Sequence, residues 1–137
     1  MNMIHEATIE YVAIDENGND RKIKENYIVD SLGCFTEVEE KLVEDFMSLT
    51  AMDVTAIKRS KVKEIANSRA SDDDLIWEAT VQDVFHADDG SEKELKYKIL
   101  LFSKTFDSAK AFITEYLKQG FDMSLVSLKL TKFKDVI

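Results

Sequence analysis

Residues Glu6-Ala7-Thr8-Ile9 return as Glu78-Ala79-Thr80-Val81, 72 positions later, and the correspondence runs on through most of the chain. At the same offset Val12 falls on Val84, Gly18 on Gly90, Lys24 on Lys96 and Ser31 on Ser103. After a one-residue gap at Gly33-Cys34 the offset becomes 71. Phe35 then falls on Phe106, Leu42 on Ile113, Glu44 on Glu115, Met52 on Met123 and Lys58 on Lys129. Only 13 of the 59 aligned pairs are identical, but one gap suffices and the apolar positions match throughout. A fixed-period self-similarity limits a fold more than any single motif, because both copies must build the same unit. The chain is therefore read as an internal duplication, with a first repeat over 6–66, a linker over 67–77 and a second repeat over 78–137.

Each repeat reads as strand, strand, helix, strand. Ala7 to Ile14 and Lys22 to Val29 are rich in β-branched and aromatic residues and flank a polar turn at Asp15–Asp20, the pattern of a hairpin. Ala79 to Phe85, the turn Asp88–Ser91 and Leu95 to Phe102 repeat it. Gly18 and Gly90 hold the same place in the two turns, where a backbone position needs positive φ. Val38, Leu42, Phe46 and Leu49 form one helical stripe behind a Thr36/Glu39 capping box, and Ala109, Ile113 and Leu117 form its copy with Asp107 as cap. Gly120 is placed to end the second helix.

The closing strands are expected over Val54–Ile65 and Leu125–Val136. In both, the apolar pair Ile57/Val62 or Leu128/Phe133 is five residues apart, which puts its members on opposite faces unless a kink intervenes. The closing strand either runs parallel to the second strand or lies antiparallel beside the first, and both options stay open. The fold class is α+β: a duplicated ββαβ unit with antiparallel-rich sheets and two helices packed on one side. Each repeat of about 60 residues is marginal alone, so one globule over 1–137 is expected.

Lys and Arg number 18 against 27 Asp and Glu, a net charge of −9 in 137 residues. That balance argues against coating duplex DNA or an anionic membrane. No apolar run reaches the length of a membrane span, and the N-terminus lacks a basic-then-apolar leader, so a cytoplasmic protein is expected. The lone Cys34 excludes an internal disulfide framework.

Tyr27-Ile28-Val29-Asp30, Phe35-Thr36-Glu37-Val38-Glu39 and Ile57-Lys58-Arg59-Ser60-Lys61-Val62-Lys63-Glu64-Ile65 together resemble a small domain-of-unknown-function family of Bacteroidetes genomes, prophages and gut phages. The resemblance covers nearly the whole chain. Of the Trp and following aromatic that open a second-half strand in that family, Trp77 matches only the first. The resemblance implies a small cytoplasmic protein of a bacterial mobile element, and it brings no catalytic residue with it.

Chemistry-bearing constellations are few. Cys34 reads as a turn residue at a helix entry, His5 as part of a frayed terminus, and His86 lacks a nucleophile at any recognised spacing. Asp72-Asp73-Asp74 and Asp88-Asp89 lack the alternate spacing of a calcium loop and read as solvated acids. No phosphate-binding glycine loop is present. No catalytic residue, cofactor or metal is assigned.

One stretch departs from the acidic average. Lys58, Arg59, Lys61 and Lys63 close the first repeat, and Lys129, Lys132 and Lys134 hold equivalent places in the second. Two basic strands could line a groove for single-stranded nucleic acid, with Tyr11, Tyr27, Tyr97 or Phe133 stacking on bases. Lysines on a sheet edge also discourage aggregation, and that reading fits the net charge better. The expected function is a non-enzymatic protein-binding module for a host or phage protein, with nucleic-acid binding through these seven residues as the alternative. Membrane is excluded as a partner, and the oligomeric state is left open.

Overall fold

The computed structural model describes residues 3–31, 33–119 and 123–137, with Phe85 described by its backbone alone. In chain order the elements are β1 (Met3–Ile14), β2 (Asp20–Ser31), α1 (Phe35–Phe46), β3 (Thr50–Arg59) and β4 (Val62–Ile65). The second half follows with β5 (Leu75–His86), β6 (Glu92–Ser103), α2 (Phe106–Leu117), β7 (Met123–Leu130) and β8 (Phe133–Val136). The boundaries of β5 and β6 are those of β1 and β2 moved by 72, and those of α2 and β8 are those of α1 and β4 moved by 71. The repeat unit is thus ββαββ. β5 starts at Leu75, inside the segment expected to be linker.

The hairpins form for the reason the sequence suggests. β1 and β2 pair antiparallel without interruption from Met3↔Ser31 to Ile14↔Asp20, and β5 and β6 do the same from Leu75↔Ser103 to His86↔Glu92. Gly18 and Gly90 have φ of 78° and 86°, the left-handed conformation that only glycine adopts without strain. Asp15 Oδ1 accepts from the N–H groups of Asn17 and Asn19, tying the first turn.

Alternate residues of each hairpin face a helix. In the first unit Ala7, Ile9, Tyr27 and Val29 pack with Val38 and Leu42 of α1. In the second, Trp77, Ala79, Val81, Ile99 and Leu101 pack with Ala109, Ile113 and Leu117 of α2. The helix starts differ from expectation. Cys34, not Thr36, is the first cap, and it makes no side-chain capping bond among the described residues. Thr105, not Asp107, caps α2, in a reciprocal box with Ser108. Both caps lie two residues before the sequence cue, and Phe35 and Phe106 open the helices edge-on against His5 and Trp77, at 5.2 and 5.9 Å between ring centres. His5 is accordingly no frayed residue: it is 3% exposed in β1, at the place Trp77 fills in the copy. The stop assigned to Gly120 lies outside the described residues.

The closing strand resolves both open alternatives at once. β3 lies antiparallel beside β1, and β7 beside β5, with an equivalent one-residue bulge at Thr55 and Val126 and, in the first pair, a second register shift opposite Tyr11. After Ser60-Lys61 the chain leaves that sheet, and β4 pairs parallel with β6 of the other half. After Thr131-Lys132, β8 pairs parallel with β2. The sheets are therefore β3-β1-β2-β8 and β4-β6-β5-β7. The compact units are Met1–Ser60 with Phe133–Ile137, and Lys61–Lys132. The shared change of phase between Ile57 and Val62 marks this departure to a second sheet. Among the described residues no helix is long and apolar enough to cross a membrane.

Leu42 is fully buried on α1 while its neighbour Val43 is 46% exposed, so the helix orientation has a direct test. Leu42→Ala should cost about 2–5 kcal/mol of stability, whereas Val43→Ala should stay within about 0.5 kcal/mol. Urea titration of the two variants against the parent measures both.

Candidate functional site

The two helices share a buried stripe and differ on their outer faces. On α1 the core takes Val38 and Leu42, which leaves Glu39, Glu40, Val43 and Glu44 turned outward, with Met47 just beyond the last turn. Val43 and Met47 are four residues apart, one above the other on that face, and Met47 is 74% exposed. Thr36, Glu39, Glu40, Val43, Glu44 and Met47 line a surface depression of about 500 Å³. A second one of about 300 Å³ adjoins it at Glu39, between the exposed Phe35 ring and Val54–Ile57 of β3. β3 is an edge strand, and its bulge at Thr55 lies in this stretch. The result is an apolar strip rimmed by carboxylates, continuous from the outer face of α1 to a sheet edge.

The second unit keeps an exposed Phe106 and a bulged edge strand at Val126, but it lacks counterparts of Glu39, Glu40, Val43 and Met47. At the places of Glu39, Glu40, Val43 and Met47 the second helix carries Lys110, Ala111, Thr114 and Lys118, the last paired with Glu115 at 2.8 Å. α1 holds five carboxylates and one lysine, and α2 holds two and one. Reading the sequence for core stripes passes over Val43 and Met47. The signal that finds them is an apolar i, i+4 pair off the stripe whose equivalents in the other repeat are Thr114 and Lys118.

The seven basic residues fall on four strands and two strand crossings. Lys58 and Arg59 lie on β3 and Lys134 on β8, at opposite edges of the first sheet. Lys63 on β4 and Lys129 on β7 take opposite edges of the second, with Lys61 and Lys132 at the two strand crossings. Three interstrand steps separate such edges, about 14 Å. Lys58 pairs with Glu6 at 3.7 Å, and Lys129 pairs with Glu78 at 3.2 Å, the same pair in each repeat. Lys98 also reaches Glu78, at 3.1 Å. Lys134 is ion-paired to Glu25, and Lys63 sits 4.2 Å above the Tyr97 ring, again at equivalent positions. Three of the four aromatic rings expected to stack on bases are committed elsewhere: Tyr27 is 6% exposed, and Tyr11 and Tyr97 pack against the two cores.

The acidic runs and the thiol have local roles. Asp74 is 7% exposed, and its Oδ2 accepts from the N–H groups of Ala70 and Ser71. Asp89 accepts from Ser91 N–H and its hydroxyl, which lowers its carboxyl below the ordinary value. His86 lies 3.6 Å from Glu92. The Cys34 thiol is exposed and lowered by the Glu37 and Thr36 backbone N–H groups at the start of α1.

Where the closing strands dock, phenols and an ammonium cluster around carboxylates. Tyr27 Oη donates to Glu25 Oε1 at 3.2 Å. Burial, then the Glu25 charge, holds the Tyr27 phenol far above its ordinary value. Hydrogen bonding to Glu25 raises Lys134. Burial and then Glu64 push Tyr116 up to about 12. All three hold their protons more tightly folded than unfolded. Their contribution is complete below the unfolded values near pH 10 and is lost as pH climbs through the folded ones. The urea midpoint should therefore hold level to about pH 9.5 and fall from about pH 10 to 12. Tyr27→Phe and Tyr116→Phe should each make that fall shallower, read as midpoint against pH.

A search of curated proteins and of solved structures finds no match to this chain in either. One family model does match, and it spans residues 3–137, both ββαββ units and both strand crossings. The chain belongs to the family described as a domain of unknown function, DUF4494.

Proposed function

We propose that the protein is a non-enzymatic protein-binding module whose outer α1 face takes a basic amphipathic helix of its partner. The observation that carries this reading is the divergence of two helices on one duplicated framework. Their buried stripes serve the same packing and stay apolar. Their outer faces carry no such demand, and only α1 combines exposed Val43 and Met47 with Glu39, Glu40 and Glu44. An apolar strip with a carboxylate rim complements leucines flanked by lysines, the pattern of helix recognition by i, i+3, i+4 anchors. A net charge of −9 adds attraction at long range and speeds encounter more than it strengthens the complex. The setting we assign is the cytoplasm of a bacterial host, with a host or mobile-element protein as partner.

The probe is a labelled helical peptide with leucine at i, i+3, i+4 and i+7 and lysine on its remaining face, followed by fluorescence anisotropy. Replacing Val43 and Met47 by Lys should weaken binding at least about tenfold, about 1.4 kcal/mol. Ala111→Lys with Thr114→Lys on α2 adds the same charge and should leave the affinity within about twofold. Equal losses in the two variants would reduce the effect to net charge and overturn the reading.

Single-stranded nucleic acid on the basic strands is the competing reading, and salt separates the two. Each phosphate contact would contribute about −0.7 to the slope of log affinity against log salt. With Lys58, Lys129 and Lys134 already serving Glu6, Glu78 and Glu25, the parent should stay unbound to a labelled oligonucleotide at micromolar protein and low salt. A salt-sensitive complex that Lys58→Ser, Arg59→Ser, Lys61→Ser and Lys63→Ser together abolish would favour the nucleic-acid reading instead.

A further inference from the structure

The closing strands are placed where their own repeats cannot use them. β3 ends at Arg59, level with His5, on the far side of β1 from β2. The slot beside β2 is three interstrand steps away, about 14 Å. To fill it as β8 does, Val62 would have to lie beside Asn26, where Phe133 lies. That level is set through Thr8 by Ala56, three residues behind Arg59, a further retreat of about 10 Å. Only Ser60 and Lys61 intervene, and three consecutive Cα–Cα links reach at most about 11 Å. The span required is about 17 Å, so the connection is too short. Thr131-Lys132 imposes the same limit on the second repeat.

Each repeat thus exposes a strand edge that its own chain cannot cover, and carries a strand that needs a foreign edge. The acceptor edge is specific in the same way in both units. Ile28 O accepts from Ile137 N–H at 2.8 Å, and Leu100 O accepts from Ala66 N–H at 2.8 Å. Asp30 N–H donates to Ile137 O at 2.9 Å; at the equivalent place Phe102 N–H donates to the Asn67 side-chain carbonyl at 2.7 Å. The incoming Lys134 meets Glu25, and the incoming Lys63 meets Tyr97, at position-equivalent residues of β2 and β6.

We infer that the outer edges of β2 and β6 are strand-acceptor sites, and that the partner they fit is the closing strand of another ββαββ repeat. The two halves of the chain are mutual subunits, each completing the other's sheet, and the covalent connection between them is dispensable for their association.

The test severs that connection in the whole folded protein. A protease recognition sequence placed between the exposed Asp72 and Asp73 allows cutting after folding. The fragments should then co-elute at the size of the uncut protein and part only in denaturant. Fragments that separate in native buffer overturn the inference. A cross-link shows that the exchanged strands do the holding. In a Cys34→Ser background, Val62→Cys is combined either with Lys98→Cys, its partner on β6, or with Asn26→Cys, the equivalent place on β2. Neighbouring strands lie within disulfide reach. After oxidation and cutting, the Val62/Lys98 pair should keep both fragments in one band on a non-reducing denaturing gel, while the Val62/Asn26 pair, both on one fragment, should stay unoxidised with two thiols open to a maleimide label. Fragments released by the Val62/Lys98 pair, or a Val62/Asn26 pair that oxidises in its place, overturn it.

Discussion

The parallel pairing of each closing strand with the second hairpin arm of the opposite half is the constraint on which the rest of the structure depends. A hairpin arm in a three-stranded sheet would leave β2 or β6 as an open edge, with its N–H and C=O groups unpaired. Open edges of that kind recruit other chains. β2 and β6 bury residues in succession, Tyr27-Ile28-Val29 and Ile99-Leu100-Leu101-Phe102, on both faces of the sheet. That pattern belongs to an inner strand, and β8 and β4 make each of them one. Four short residues per crossing strand therefore decide whether the most buried segments of the molecule lie inside a sheet or at its border.

The chemistry at the junction follows from the exchange. A strand arriving from elsewhere needs side chains that register it, and the two units solve this with different partners for one lysine. In the first, Lys134 meets the nearly buried Glu25, which also accepts from Tyr27. In the second, Lys63 lies over the Tyr97 ring, and Glu64 of the same strand bonds Tyr116. A cation over an aromatic face needs no buried carboxylate, and a carboxylate needs no ring. Either arrangement satisfies an ammonium group whose stem packs along the sheet. Glu25 and Tyr97 thus differ in kind and agree in function, which is why the alignment shows the lysine repeated and its partner changed.

Much of this was legible in the residues. The offsets of 72 and 71 foretell the element boundaries, the glycines at 18 and 90 mark the turns, and the stripes through Leu42 and Ile113 set the helix faces. The helix caps were not legible, because a Phe packed on His5 or Trp77 draws each helix start back past Thr36 and Asp107. The exchange left one trace, the common phase change between Ile57 and Val62, and that trace is shared with an ordinary kink. Choosing between them needs the length of Ser60-Lys61 weighed against sheet spacing, which becomes possible only once β3 is known to lie outside β1. The basic residues read as a cluster along the chain because six positions hold four charges. The crossing divides them between two sheets.

Duplication also frees surface. Positions that pack the core or seat a closing strand answer to the same demand in both copies, so their character persists even where identity does not: Val38 with Ala109, Leu42 with Ile113, Ile28 with Leu100. The outer helix faces answer to no such demand. There one copy can keep charges of both signs, Lys110, Glu115 and Lys118, which suits a solvated helix. The other can concentrate carboxylates around Val43 and Met47 without disturbing the fold, since neither residue reaches the core. A pair of exposed apolar side chains lowers solubility and adds nothing to the packing of α1. Their confinement to one of the two helices is a difference between the copies that the fold does not demand, and the proposed partner surface rests on it.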